Sequence, residues 1–403
     1  MRLFLSVFIL ITITYHAAAQ PEMPSFKSPE EMVQGWYHRH EIETWTHKGG
    51  DPDIMRKILQ RIEKAEGKRR NPELVDTIAE YGPGNWVYEW STEGKKAMQR
   101  ANQQEGEVAY NTYLEALTYF TTASWPHIGN EQDRRALVRA REAYLAAGRF
   151  FEKPVQHVEF AVEDTTARGY LHLPAGDGPY PLLIFTHGSD VTKEDAFGLF
   201  AQDFNAAGIA LLAVDLTGIG EASHIPLSKG SDLVLAGAKA YAEKLDTISP
   251  NKIFVGGASF GGNAAARFFF RHEAAGVISM CGPLHSPFVA PPEVYEQMPA
   301  LTIDGVKARL GVPKATSEEL AKLTPALSLK VQGYPKEKRN TPLFILTTNK
   351  DPVAPLADLE LLESGAAHVD KLVIDTIGHC PPRWIRGPLI TRWIQEQLYC
   401  NCS

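Results

Sequence analysis

Three residues have the type and the setting to do chemistry together: Ser259, Asp351 and His379. Ser259 stands in Gly257-Ala258-Ser259-Phe260-Gly261-Gly262, between the apolar run Lys252-Ile-Phe-Val-Gly256 and an Ala-rich stretch of helical composition. A bare Gly-x-Ser-x-Gly is weak evidence. Between a strand and a helix it becomes a nucleophile elbow, a tight turn whose flanking glycines admit a strained backbone and lift the serine hydroxyl above a sheet. The N-terminus of the following helix favours negative charge developing there.

A serine hydroxyl needs a base, and the base needs an orienting acid. Elbow folds supply them in the chain order Ser, Asp or Glu, His. Asp351 follows an apolar run ending at Thr347, in Thr348-Asn-Lys-Asp351-Pro-Val-Ala-Pro, and His379 follows Lys371-Leu-Val-Ile-Asp in Thr376-Ile-Gly-His379-Cys-Pro-Pro. Asp375 is a rival acid only four residues from His379, and Glu293 a second one inside a Pro-rich segment. The chemistry this set supports is attack on a carbonyl with His379 as base. Free imidazole titrates near pH 6.5, so activity is expected to rise from acid to neutral pH. Phe185-Thr-His187-Gly188-Ser189-Asp190 follows the strand that carries the oxyanion loop in such folds. A backbone N–H of Ser189 or Asp190 is expected to join that of Phe260 around the oxyanion. His187 and His285 are candidate pocket residues. His224 and His368 stay unassigned.

The elements that must position these residues form two textures. From residue 152 onward, short β-branched runs alternate with amphipathic stretches. Val158–Val162 and Gly169–Leu173 read as an edge hairpin; Leu182–Thr186, Ile209–Val214, Lys252–Gly256, Gly276–Met280, Leu343–Thr347 and Lys371–Ile374 follow as strands. Asp195–Ala206, Ser231–Leu245, Phe260–His272, Ala357–Glu363 and Pro388–Leu398 read as the intervening helices. This is the α/β class, an α/β-hydrolase with a doubly wound, mostly parallel sheet occupying residues 152–403. Residues 20–151 read as an all-helical N-terminal domain: Ile54, Ile58 and Ile62 recur four apart, and strand alternation is nearly absent. That domain, with the insert at residues 283–340, is expected to cover the active site, Trp86 and Trp90 facing the pocket. The competing expectation is a packing or homodimerisation module, since aromatic-rich helices also build interfaces.

Arg2, the apolar stretch Leu3–Tyr15 and Ala17-Ala18-Ala19 read as a signal peptide over residues 1–19, too short to span a bilayer. Secretion or periplasmic export is expected, with no membrane span in the mature chain. No cysteine follows the cleavage point, so a lipid anchor is not indicated. Four cysteines, Cys281, Cys380, Cys400 and Cys402, allow three full pairings, and their order does not choose among them. Cys281, ending an apolar run, reads as a small buried hydrophobe. None has the spacing of a zinc site. A net charge of −7 without a basic run argues against nucleic acid as a partner. No phosphate loop, dinucleotide fingerprint or His-Glu-x-x-His pattern calls for a cofactor or a metal.

Gly84-Asn-Trp-Val-Tyr-Glu-Trp-Ser91, Ala123-Ser-Trp-Pro-His127, Gly169-Tyr-Leu-His-Leu-Pro174, Phe260-Gly-Gly-Asn-Ala264, Glu296-Gln-Met-Pro299 and Ser328-Leu-Lys-Val-Gln-Gly333 occur in the order found in one family. Through them nearly the whole chain after the leader resembles the fermentation-respiration switch protein (FrsA-like) family of α/β-hydrolases. The resemblance implies a helical N-terminal domain and carboxylic-ester hydrolysis of a small acyl or carbonyl substrate. Related fungal pigment-pathway enzymes and a bacterial nicotine-pathway hydrolase of 2,6-dihydroxypseudooxynicotine type imply carbon–carbon cleavage of β-diketone-like substrates as the alternative. A non-catalytic binding protein on the same scaffold is the third reading, disfavoured by the complete Ser, Asp and His set. The chain differs from familiar members of the family in carrying a leader.

Overall fold

The computed structural model describes residues 33–228 and 230–400. The expected leader and Cys402 lie outside them. Among the described residues five helices come first: α1 (Ile42–His47), α2 (Pro52–Lys64), α3 (Trp86–Ala101), α4 (Gly106–Ser124) and α5 (Glu131–Ala147). Their starts are chemically marked. Asp51 accepts from the N–H groups of Asp53 and Ile54 ahead of Pro52, and Asn85 and Asn130 cap α3 and α5 in the same way. In α2 the buried stripe is Met55, Ile58, Leu59 and Ile62, with Ile54 half-buried. A four-residue spacing drifts off a 3.6-residue turn, so the core-facing stripe needs both i+3 and i+4 positions.

One eight-stranded sheet follows, in the order β1-β2-β4-β3-β5-β6-β7-β8. Its strands are β1 (Gln156–Val162), β2 (Thr165–His172), β3 (Tyr180–Thr186), β4 (Ala210–Val214), β5 (Ile248–Ala258), β6 (Gly276–Met280), β7 (Leu343–Lys350) and β8 (Val369–Ile377). The two pairings β1/β2 and β2/β4 are antiparallel and all others parallel. All eight expected strands are present. The edge hairpin is tighter than expected, because Val162 pairs Thr165 and only Glu163 and Asp164 turn, Glu163 at φ 51°. The helix expected over 195–206 is present as one continuous helical segment over 193–207, tightly wound at its start and widened to a π turn over Phe200–Phe204. The last helix begins at Arg383, and Pro388 lies inside it rather than at its start.

Alternate residues of the central strands face opposite layers. Leu183, Phe185, Leu211 and Ala213 join a core continuous with α2–α5, while Leu182, Ile184, Leu212 and Val214 join the core on the other face. The N-terminal helices therefore share apolar packing with the sheet.

The insert at 283–340 holds three short helices, Pro292–Gln297, Ala300–Arg309 and Ser317–Leu323, around a small core of Tyr295, Ala315 and Leu320. Its Arg309, 1 % exposed, donates to the carbonyls of Pro126, His127 and Gly218. Tyr37 donates to Asp304 at 2.8 Å. The insert thus braces the helical region from behind.

Beside the sheet, Lys193 is fully buried and meets Asp215 at 2.7 Å, Glu221 at 2.8 Å and Glu194 at 3.6 Å. Burial alone pulls its ammonium pKa down, but the three carboxylates raise it above the ordinary lysine value. Removing one partner of such a cluster strands buried charge. Lys193→Met is expected to cost about 3–5 kcal/mol of stability in denaturant unfolding; a loss under about 0.5 kcal/mol, the range of ordinary surface changes, would show the cluster to be dispensable.

Candidate active site

Ser259 sits between β5 and the helix Phe260–Arg271 with φ 56° and ψ −125°. A non-glycine residue in that region is strained and is held there by its surroundings. Here Ser259 N–H donates to the Met280 carbonyl at 2.9 Å, and Gly257 and Gly261 let the turn close on itself. A Cβ on Gly257 would lie 2.2 Å from the Gly261 carbonyl oxygen. A Cβ on Gly188 would lie 2.8 Å from the Ser259 Cβ, so the loop after β3 approaches the hydroxyl closely only because it is glycine.

Asp351 and His379 come to this serine from the ends of β7 and β8. His379 Nε2 is 2.7 Å from Ser259 Oγ, and its Nδ1 is 2.9 Å from both Asp351 carboxylate oxygens. Asp351 is buried and also accepts from the N–H groups of Val353, Ala354 and Cys380. Burial pushes its carboxyl up, but His379 and these N–H donors outweigh it and hold it below the usual carboxylate range. The rival acids are elsewhere. Asp375 is exposed and bonds Asn349, and Glu293 is exposed on an insert helix.

The serine opens onto a cavity of about 570 Å³. Its described wall comes from residues 39–48, from Thr121, Thr122, Trp125 and His127, from the 187–195 loop, and from 376–386. The N-terminal helical region does cover the serine, but no described wall residue belongs to the insert, which corrects the expectation for 283–340. The segment expected at the mouth is pulled aside: Asn263 holds the Pro283 carbonyl, and Asp358 takes the N–H groups of His285 and Ser286. His285 goes with it, its Nδ1 2.8 Å from Ser328 Oγ, and is no wall residue. Trp86 and Trp90 are also corrected. Both are buried in the helical core, Trp86 stacked on His38 with its N–H on the Thr122 carbonyl, and Trp90 against Trp45 and Tyr119. The density of aromatics in this region does not say whether a given indole meets other helices or a ligand. The indoles on the described wall are Trp45, Trp125 at the end of α4, and Trp384.

His187 is on the wall, as expected, and 8 % exposed. Burial, then Arg383, Arg386 and Lys48, hold its imidazole well below the ordinary value. Asp190 is on the wall, while Ser189 beside it is half-buried and is not among the wall residues. Asp190 accepts from Arg39 at 2.8 Å and from the Trp125 indole N–H at 3.4 Å. Burial raises its carboxyl, and Arg39 with Trp125 outweighs burial, so it stays below the usual range.

The charged wall was not foreseen. Asp195 receives both Lys48 and Arg383, and Arg386 donates through Nε to the Pro381 carbonyl. Burial, followed by repulsion from Arg383, pulls the Arg386 guanidinium down to about 9. These cations are scattered in sequence, so no motif marks them. The one local signal is that Arg383 and Arg386 closely follow His379. The structure also pairs Cys281 with Cys380 in a disulfide, Cα atoms 5.1 Å apart. Cys281 is buried as expected, but as half of a bridge and not as a lone hydrophobe. Cys400 closes the last helix.

Residues 9–398 match the family described as Esterase FrsA-like. Esterase FrsA of Vibrio cholerae is 30% identical over 375 residues, covering 92% of this chain and 90% of the relative. Esterase FrsA of Escherichia coli is 28% identical over 385 residues, covering 94% and 92%. Among solved structures, 2,6-dihydroxy-pseudo-oxynicotine hydrolase superposes with a TM-score of 0.69 at 20% identity over 89% of this chain and 96% of its own. AbyA5 does so with a TM-score of 0.63 at 16% identity over 86% and 93%. Both structural likenesses establish the fold, helical N-terminal region included, and with an eight-stranded sheet carrying its elbow serine under that region, the chain belongs to the Esterase FrsA-like family of α/β-hydrolases.

Proposed function

We propose that the chain is a serine esterase acting through Ser259, His379 and Asp351 on a small-molecule ester. The observation that carries this reading is the unbroken hydrogen-bonded line from Asp351 through His379 to Ser259 Oγ on the wall of a closed-over cavity. His379 Nδ1–H donates to Asp351, which leaves Nε2 free to take the serine proton. Ser259 Oγ then attacks the ester carbonyl carbon. Phe260 is the first residue of its helix, so its N–H has no intrahelical acceptor, and with an N–H from the 188–190 loop it receives the developing oxyanion. His379 returns the proton to the departing alcohol, and water, activated by the same base, releases the acid from the acyl-serine.

A cavity of about 570 Å³ is of small-molecule size. Ester cleavage is preferred over carbon–carbon cleavage because the relatives near 30% identity are named esterases. Export through the 1–19 leader is part of the proposal and rests on the sequence. A panel of nitrophenyl esters of increasing acyl length beside 1,3-diketones separates the readings. Turnover of diketones with inert esters would reverse the preference.

Three outcomes test the site. Ser259→Ala is expected to lower kcat by about 10⁴ to 10⁶ with unchanged thermal stability; a folded variant that still hydrolyses the ester at the parent rate would remove Ser259 from the mechanism. The second concerns pH. His127, pushed down to about 3 by burial and then Arg309, and His187, also depressed, are uncharged through weakly acid pH, so neither supplies an acid limb there. The kcat–pH profile of His187→Asn is expected to keep the rise from acid to neutral pH, and loss of that rise would make His187 the titrating base. Third, Trp125→Ala widens the cavity. It is expected to raise kcat/KM for a bulky ester relative to acetate by about 10-fold, the scale of one changed apolar contact, whereas equal effects on both esters would place the specificity boundary elsewhere.

A further inference from the structure

In the sheet order, β8 is three strands from β5, about 14 Å at the usual interstrand spacing. The His379 loop must therefore run back across the ends of β7 and β6 to reach Ser259. It does so in five residues, 378–382, between β8 and the helix at Arg383. Two of its anchors stand at the end of β7: Thr348 Oγ1 donates to the Gly378 carbonyl at 2.8 Å, and Cys380 N–H donates to Asp351 at 3.1 Å. Arg386 holds the Pro381 carbonyl from the loop's own helix. The bridge reaches one strand further, because Cys281 directly follows β6. That end of β6 is also where Ser259 is held, through its N–H on the Met280 carbonyl, one residue before Cys281.

Both half-cystines have left-handed backbones, Cys281 at φ 45° and Cys380 at φ 69°. Glycine or asparagine would adopt that conformation more readily, so local preference does not account for cysteine at either position. Their bond to each other does. Cys380 Sγ also lies 3.8 Å from His379 Nε2, beside the atom that must meet the serine.

Resting on the triad reading above, we infer that the Cys281–Cys380 disulfide is the positioning element for His379, and that reductive opening of the bridge switches the esterase down. Cys380 is on the cavity wall and Cys281 is not, so a small dithiol entering the cavity attacks Cys380 Sγ. The reductant's sulfur bonds to Cys380, Cys281 leaves as a thiolate and takes a proton, and the reductant's second thiol closes a ring that releases Cys380 as a thiol. Two electrons and two protons pass from the dithiol to the bridge. Freed of Cys281, the loop keeps its β7 anchors and loses its tie to β6. A shift of about 1 Å at a reacting group costs on the order of 10²-fold in rate. Most of the wall is carried by residues 39–48, by Thr121 to His127 and by the 187–195 loop, so the loss falls mainly on kcat.

Such a bridge is stable in oxidising compartments and rare in reducing ones. A chain exported as its leader suggests would be slow before translocation and gain full rate once the bridge forms.

The experiment measures kcat and KM for a short nitrophenyl ester at 25 °C, with EDTA present so that the freed thiols hold no metal. The oxidised protein, the protein reduced with dithiothreitol and then reoxidised, and the C281S/C380S variant are compared, with near-ultraviolet circular dichroism reporting the fold. Reduction and the double substitution are each expected to lower kcat by about 10- to 100-fold with KM within about twofold and the folded signal retained, and reoxidation is expected to restore the parent rate. A slow substrate analogue in the cavity is expected to retard the reduction. A kcat retained within about twofold in the reduced protein, or lost only in step with the folded signal, overturns the inference by making the bridge purely structural; should the variant fail to fold, the reduced wild-type protein decides alone. Ser259→Ala remains inactive in either case, so failure here is distinct from failure of the triad.

Discussion

The geometry of this hydrolase depends on convergence of groups from three strand ends that are not all neighbours. Ser259 leaves β5, Asp351 leaves β7 and His379 leaves β8, with β6 between the first and the others. A parallel sheet separates neighbouring strands by a fixed spacing, so the loops must cover the remaining distance. They do it through hydrogen bonds that serve two ends at once. Asp351 meets the imidazole and also accepts from Val353, Ala354 and Cys380, so one carboxylate ties its own loop to the histidine's. The strained Ser259 backbone is tolerated because Met280 on β6 accepts its N–H.

The cover over this convergence is built differently from the floor that carries Ser259. Trp86, His38 and Trp125 form a rigid block: Trp86 stacks on His38, whose ring reaches Asp76 at 2.7 Å and the Trp125 carbonyl at 3.1 Å. Arg309 of the insert holds the next two carbonyls, of Pro126 and His127. Trp125 and His127 thus reach the cavity from a segment clamped on both sides. The cavity wall itself is charged, and its ion pairs join the cover to the floor: Arg39 with Asp190, and Lys48 with Asp195, cross from the helical region to the loop after β3. Between partly buried groups such pairs are less screened than at a surface, and they fix the register of one layer on the other.

Much of the scaffold was legible from residue order because its signals are local. A β-branched run of five residues, a glycine-flanked serine after it and a histidine five residues beyond another run state their structure within a few positions. All eight strands and the chain order of the candidate triad could be read in this way. What misled was any inference from local texture to distant placement. The Pro-rich stretch from Pro283 looked free to border the mouth, yet Asp358 and Asn263, from other parts of the chain, draw it away. Trp86 and Trp90 were expected at the pocket, but an indole on a helix is apolar whether it meets other helices or a ligand.

The sequence by itself determined the α/β class, the elbow at Ser259 and the chain order of the candidate acid and base, since hydrophobic period and glycine spacing act over a few residues. The tertiary structure alone decided that Cys281 pairs with Cys380 and that Arg39, Lys48, Arg383 and Arg386 share one wall. The physical reason is range. Pairing and charge clustering depend on which segments the sheet brings together across tens to hundreds of residues, and no periodicity in the chain records those distances.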